Sequence, residues 1–254
     1  MLTDTHIHLY ADQFESDREQ LVQEALSVGV DRFFLPNIDL ESIGPMLELE
    51  EKYPGKCFPM MGLHPCYVKD GWEKHLDVIE SWWQRRTFCA VGEIGIDLYW
   101  DKNHLAEQQA AFRRQIRLAN THKRPVVIHC RESFKEIIEV LDDCRKETPQ
   151  GIFHCFTGTV DQAQAVIDRG FLLGIGGVVT FKKSGLDAVV KEIPLEHLVL
   201  ETDGPYLAPT PHRGKRNIPS YLRLVAEQVE AIKGIPLQEV AAITTENSRR
   251  LFGC

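Results

Sequence analysis

The chain has 254 residues, 43% hydrophobic and 26% charged, with a formal net charge of -8 at neutral pH. That composition supplies the core of one large α/β domain, and no Ser/Gly-rich linker or low-complexity tract divides it, so a single domain over residues 1–254 is expected. The acidic balance excludes a protein that coats nucleic acid by general electrostatics and leaves room for an enzyme with a local basic patch.

Taken in chain order, strand-like apolar runs lie near residues 2–6, 31–36, 57–62, 88–93, 125–129, 151–154, 171–175 and 198–202. Helical patterns separate them. Ser16-Asp-Arg-Glu19 reads as a capping box before Leu21, Val22 and Leu26, with Gly29 as a stop. Phe112, Ile116 and Ala119 form one stripe on a helix that ends before Pro125, and Phe134, Ile137, Ile138 and Leu141 form another. Leu222, Val225, Ala226 and Val229 continue the pattern as far as Gly234. Eight strands, each followed by helical sequence, predict a (β/α)₈ TIM barrel rather than an open doubly wound sheet. No apolar run is long enough for a membrane span, and with the first candidate site residue only a few positions from Met1 no signal peptide is expected. Seven cysteines, an odd number without CxxC pairing, argue against disulfides or a thiolate zinc site and for a reducing compartment, so a cytoplasmic protein is expected.

His6 and His8 are two residues apart on the first run, so strand geometry aims both imidazoles the same way. Glu93, His129, His154 and Asp203 each close a later apolar run. A lone histidine in such a place is usually a core or loop residue. An ordered set of imidazoles and carboxylates at the same strand end is instead a metal centre, and a barrel collects strand ends at its C-terminal face. Cys130 and Cys155 follow two of these histidines, and alternation turns them away from the metal as small core residues. Arg213, Lys215 and Arg216 crowd a Gly-containing loop after Asp203.

Asp4-Thr-His-Ile-His8, Gly62-Leu-His-Pro65, Val91-Gly-Glu-Ile-Gly-Ile-Asp97, Val127-Ile-His-Cys-Arg131, Phe153-His-Cys-Phe-Thr-Gly158, Glu201-Thr-Asp-Gly-Pro-Tyr206 and Arg213-Gly-Lys-Arg-Asn217 resemble the segments of TatD-type deoxyribonucleases, metal-dependent hydrolases of the amidohydrolase superfamily. The likeness runs in order from residue 3 to beyond residue 247; Thr157, Ile96 and Gly174 depart from it, the last where a larger residue is common. It implies a metal-dependent nuclease, commonly a 3′-to-5′ exonuclease on DNA. By analogy His6, His8, Glu93 and Asp203 hold one divalent cation, Glu93, His129 and His154 hold a second, and Glu93 bridges them. Two cations about 3.5–4 Å apart acidify a water that attacks phosphorus in line with the leaving sugar oxygen. Asp203 accepts its proton in this reading, and Arg131 and the Arg213–Lys215 loop face the phosphate.

His64 is either a contact to that phosphate, or an acid, or a turn histidine satisfied by backbone. Glu201 lies one layer below Asp203, as a carboxylate orienting a histidine ligand. Tyr206 either stacks on a base or packs over the barrel mouth. Imidazoles with carboxylates suit Zn, Mn, Fe or Co better than Mg, whereas the resemblance points to Mg or Mn. The acidic surface predicts a grip on single-stranded DNA ends rather than on long duplex. A phosphomonoesterase, an amide or ester hydrolase (aminoacyl-tRNA deacylation included), and a metal- or nucleic-acid-binding module without turnover are the competing functions.

Overall fold

The computed structural model describes residues 1–144 and 149–254. Its strands are β1 (Leu2–Asp4), β2 (Val30–Pro36), β3 (Cys57–Met60), β4 (Val91–Asp97), β5 (Val126–Arg131), β6 (Gly151–Phe153), β7 (Phe171–Ile175) and β8 (Leu198–Leu200). The helices are α1 (Arg18–Ser27), α2 (Ile43–Lys52), α3 (Trp72–Arg85), α4 (Leu105–His122), α5 (Phe134–Asp143), α6 (Val160–Ile167), α7 (Leu186–Glu192), α8 (Leu222–Lys233) and α9 (Leu237–Phe252). All strand pairs are parallel, in two ladders ordered β1-β2-β3 and β4-β5-β6-β7-β8.

Hydrogen bonds outside the ladders close both gaps. Between β3 and β4, Met61 N–H donates to Ala90 O at 3.0 Å and Cys89 N–H to Pro59 O at 3.2 Å. Between β8 and β1, Thr5 N–H donates to Leu200 O at 3.0 Å, and just beyond the strands Asp203 N–H donates to His6 O at 2.9 Å. The result is the (β/α)₈ barrel that the alternation predicts. Parallel strands in such a barrel are covered on both faces, and every residue of β4 is buried. Val126 and Ile128 face the main core with the helices, whereas Val127, Ile152 and Val199 join Phe34, Met60 and Phe252 in a separate apolar layer. Val127, Ile152 and Val199 share strand parity with His129, His154 and Glu201, so this layer is the dry floor beneath those side chains.

Several boundaries differ from expectation. The β1 ladder ends at Asp4, two residues before His6, and β4 runs to Asp97, so Glu93 sits inside that strand rather than at its end. The N-cap of α1 is Asp17, without a side-chain cap bond, so Ser16-Glu19 is not a capping box; the reciprocal box belongs to Thr159 and Gln162 on α6. The helix stop is as read, since Gly29 takes φ +88° just past α1. Helix α9 follows the last helical stripe read from the sequence; its Phe252 ring stacks at 4.1 Å on Phe34 and plugs the floor. Among the described residues, no helix is long and apolar enough to cross a membrane.

Candidate metal centre

His6 and His8 lie in an extended segment that continues β1 after its ladder stops. Ile7 N–H donates to Phe34 O at 3.1 Å and His8 N–H to Gly204 O at 2.8 Å, so the alternation persists and both imidazoles point inward. Glu93 projects from β4, His129 from β5, His154 from the residue after β6, and Asp203 from the turn after β8. Asp203 has φ +58°, a left-handed kink that turns its carboxylate toward His6 and His8.

The two oxygens of Glu93 divide the histidines between them. Oε2 lies 3.1 Å from His6 Nε2 and 3.7 Å from His8 Nε2. Oε1 lies 2.8 Å from His129 Nδ1, 2.9 Å from His154 Nε2 and 3.3 Å from His64 Nε2. Asp203 Oδ1 completes the first half, 3.6 Å from His8 Nε2 and 4.0 Å from His6 Nε2. Ligand atoms about 2.1 Å from a common cation are spaced roughly 3.0–3.4 Å from one another; the separations here, from 2.8 to 4.0 Å, bracket that spacing, and the imidazole and carboxylate donor set suits divalent cations. Three interlocking groups could hold a metal ion: His6, His8 and Asp203; His6, Glu93 and His154; and His64, Glu93 and His129.

The surroundings decide which nitrogen of each ring is available. The Tyr10 hydroxyl donates to Pro36 O, so it can only accept from His8 Nδ1, 2.9 Å away, and the lone pair of His8 is left on Nε2 facing Asp203. His129 Nε2 lies 2.8 Å from Asp97 Oδ2, a carboxylate that accepts its proton and leaves Nδ1 toward Glu93. His64 Nδ1 accepts from Cys66 N–H at 3.1 Å, so in the neutral ring Nε2 carries the hydrogen and offers a donor rather than a lone pair. His64 is thus satisfied by backbone on one side and directed into the cluster on the other. His154 Nδ1 lies 3.4 Å from Oε1 of Glu201, which also accepts from Cys155 N–H.

Charge follows the same division. Burial alone would raise the Glu93 carboxyl, yet the imidazoles of His154, His64 and His6 outweigh it and hold it well below the usual range. Asp203 is likewise lowered against its burial, by the hydrogen bond to His8 and by His154 and His6. Burial pushes His6 and His64 down. His129 and His154 move up despite burial, the first through Asp97 and Glu93 and the second through Glu93 and Glu201. Burial and the carboxylates thus pull the rings in opposite directions, His6 and His64 toward the neutral form and His129 and His154 toward the protonated one.

The remaining expected residues lie around this cluster rather than in it. Tyr206 is exposed above it, its ring 5.9 Å from that of His8. Arg131 sits at the rim with its guanidinium 4.0 Å from the centre of the Tyr99 ring. Arg213 lies over Phe181 at 4.4 Å, and Lys215 is exposed. Arg216 is withdrawn from the basic loop into an ion pair with Asp17, so it braces the loop against α1. Cys130 is partly buried against the core, but Cys155 has φ +46° beyond the end of β6, and strand alternation does not apply to it. A cavity of about 470 Å³ opens between the ends of β5 and β6, lined by His154, Cys130, Phe153, Phe156 and Glu132 among others.

Asp97 and Tyr10 are the site residues missed by inspection of the sequence. Parity held the signal: Tyr10 continues the alternation of His6 and His8, and Asp97 lies four residues after Glu93 in the same short segment. The departure at Gly174 also has a reason, because a Cβ there would stand 2.3 Å from Glu201 Oε2.

Comparison with known proteins agrees with this geometry. The TatD related DNase family matches residues 3–253. The chain is 40% identical over 253 residues to the uncharacterized metal-dependent hydrolase YabD of Bacillus subtilis, covering 99% of each. It is 33% identical over 255 residues to the 3′-5′ ssDNA/RNA exonuclease TatD of Salmonella typhimurium, covering 98% of each. The crystal structure of YJJV, a TatD homologue from Escherichia coli, superposes with a TM-score of 0.93 at 28% identity, covering 100% of this chain and 98% of that one. The phosphotriesterase homology protein of Escherichia coli shares the fold, with a TM-score of 0.73 at 14% identity over 99% of this chain and 98% of that one. The chain belongs to the TatD-related DNase family and is a metal-dependent hydrolase.

Proposed function

We propose that this hydrolase is a nuclease that shortens single-stranded DNA from the 3′ end with two divalent cations. The observation that carries the reading is the division of Glu93, one oxygen toward His6 and His8 and the other toward His129 and His154. One carboxylate so placed suits a bridge between two cations. His6, His8, Glu93 and Asp203 are the proposed ligands of one, and Glu93, His129 and His154 of the other. When bound, such cations lower the pKa of a water and polarise a phosphoryl oxygen.

The chain's own groups supply the rest. Asp203, kept ionised by its histidine neighbours, accepts the proton of the attacking water. Oxygen adds to phosphorus, the bond from phosphorus to the sugar 3′ oxygen breaks, and the proton passes to that oxygen. His64 Nε2–H donates to a phosphoryl oxygen, and Arg131, Arg213 and Lys215 attract the phosphates around the mouth. Tyr206 faces the terminal nucleotide. Relatives named as exonucleases on single-stranded DNA and RNA support the substrate class.

The test is hydrolysis of an end-labelled single-stranded oligodeoxynucleotide by metal-stripped protein resupplied separately with Mg, Mn and Zn, beside Glu93→Ala. Shortening from the 3′ end that needs metal and vanishes in the variant is the expected result. An oligonucleotide left intact with every metal, alongside hydrolysis of small phosphomonoesters, would replace the nuclease reading with a phosphomonoesterase.

A further inference from the structure

Two large aromatic side chains stand in solvent directly after β4. Tyr99 is 49% and Trp100 68% exposed, in a protein whose other aromatic rings are mostly buried. Their rings meet edge to face, with centroids 4.9 Å apart and planes at 89°. Arg131, at the end of the neighbouring strand β5, lays its guanidinium 4.0 Å from the Tyr99 centroid and 5.5 Å from that of Trp100. Cation–π contact of this kind holds the arginine in place while its charge stays near solvent.

The turn is rigidly tied to the metal centre. Asp97 Oδ1 accepts the backbone N–H groups of Tyr99 at 2.9 Å and Trp100 at 2.8 Å, while its Oδ2 holds His129 Nε2 at 2.8 Å. Gln108 fixes Asp97 in turn, its Oε1 accepting from Asp97 N–H at 2.8 Å. A single buried carboxylate therefore sets both the orientation of a metal-facing imidazole and the position of the aromatic pair. Neither ring fills the core, and exposing both carries an unfavourable hydration cost that packing within the chain does not explain.

We propose that Tyr99, Trp100 and Arg131 form a shelf for one unpaired nucleobase, with Arg131 meeting the phosphate attached to it. The inference rests on the nuclease reading and adds how the substrate is chosen. Aromatic faces stack on any base, so the shelf is indifferent to sequence. A base inside a duplex has both faces covered and cannot reach it. The shelf thus adds base stacking to the preference for unpaired strands that the acidic surface predicts.

The test measures binding separately from cleavage. Metal-stripped protein is titrated into a fluorescent eight-residue oligothymidylate, and into the same strand with abasic sugars, with anisotropy as the readout. Trp100→Ala and Tyr99→Ala are expected to bind the oligothymidylate about tenfold more weakly, Trp100→Phe close to wild type, and the abasic strand equally weakly to all. Trp100 is exposed, so its variants fold, and thermal denaturation checks that. Equal affinity of wild type and Trp100→Ala for the oligothymidylate, or an equal loss on the abasic strand, overturns the shelf. Absence of binding to wild type also overturns it. Metal-dependent shortening of the same strand is scored in parallel: cleavage with no effect of Trp100→Ala on binding removes the shelf alone, whereas base-dependent binding without cleavage removes the nuclease reading alone.

Discussion

Replacing Asp97 with Asn exchanges one carboxylate oxygen for an amide NH2, removing a negative charge with almost no change of shape. The Oδ1 atom of Asp97 accepts two backbone N–H groups, from Tyr99 and Trp100, and Oδ2 faces His129 Nε2. An amide oxygen retains the two backbone bonds, so the amide nitrogen must face His129. A donor in that place requires Nε2 to accept, which moves the imidazole hydrogen to Nδ1, the atom 2.8 Å from Glu93 Oε1. Nδ1 then has no lone pair for a cation. Losing the partner that fixes a ligand's tautomer weakens metal binding roughly 10–100-fold, or about 1.4–2.7 kcal/mol. Calorimetric titration of the metal-stripped variant with Mn measures that loss, and the ¹⁵N shifts of His129 report the tautomer. Asp97→Ala separates the two functions of the carboxylate, because it also orphans the Tyr99 and Trp100 amides and costs a further ~1–3 kcal/mol of folding stability. Wild-type metal affinity in Asp97→Asn would refute the assignment of His129 as a ligand through Nδ1.

Further consequences can be measured on the same preparations. Gly174→Ala puts a methyl 2.3 Å from Glu201 Oε2 and 2.8 Å from its Cδ, so it should destabilise by about 1–3 kcal/mol in thermal melts; adding Glu201→Ala should recover part of that loss, and an unchanged Gly174→Ala melt would contradict the clash. Tyr10→Phe leaves Pro36 O and His8 Nδ1 without their partner, and the expected cost is about 1–3 kcal/mol in denaturant unfolding, with weaker metal uptake. Because the His129 and His154 rings are raised by their carboxylate neighbours, each keeps its proton to higher pH than a free imidazole, and a cation must displace that proton to bind. Metal affinity should therefore rise with pH through the titration of these rings, and the binding heat should vary with the ionisation enthalpy of the buffer; a buffer-independent heat would exclude such proton release. Arg216→Ala removes the brace to Asp17 while leaving Arg213 and Lys215 exposed. It should cost at most about 1 kcal/mol, since both partners are partly solvated, and the melt is the check.

The barrel was legible because apolar runs at strand length alternate with helical stripes, and parity along each run assigned the inner face. Val127 and His129 share that face, as do Ile152 and His154, so the dry floor and the polar layer above it follow from one period of two. Parity fails where the backbone leaves the strand. Asp203 at φ +58° and Cys155 at φ +46° are both turned by left-handed kinks that no alternation records. The basic loop misleads in another way: composition shows three cations together, but Arg216 is consumed by Asp17 at the N-cap of α1, far away in sequence, a pairing that only the closed barrel creates.

The apolar run near residues 88–93 places Glu93 at a strand end, whereas β4 continues to Asp97 through Gly95, a residue type that ordinarily interrupts a strand. The structure assigns that glycine a different task. A Cβ at Gly95 would lie 2.1 Å from His129 O, and the residue takes φ +140°, so only glycine lets β4 press this closely against β5. The strand then continues in register, with Gly95 opposite His129 and Asp97 opposite Arg131. Close approach is what delivers the Asp97 carboxylate to His129 Nε2. Gly95→Ala should therefore displace Asp97 and His129 together, lowering metal affinity at least as far as Asp97→Asn does. A Gly95→Ala protein with normal metal binding would mean that β4 can retreat from β5 without disturbing the centre.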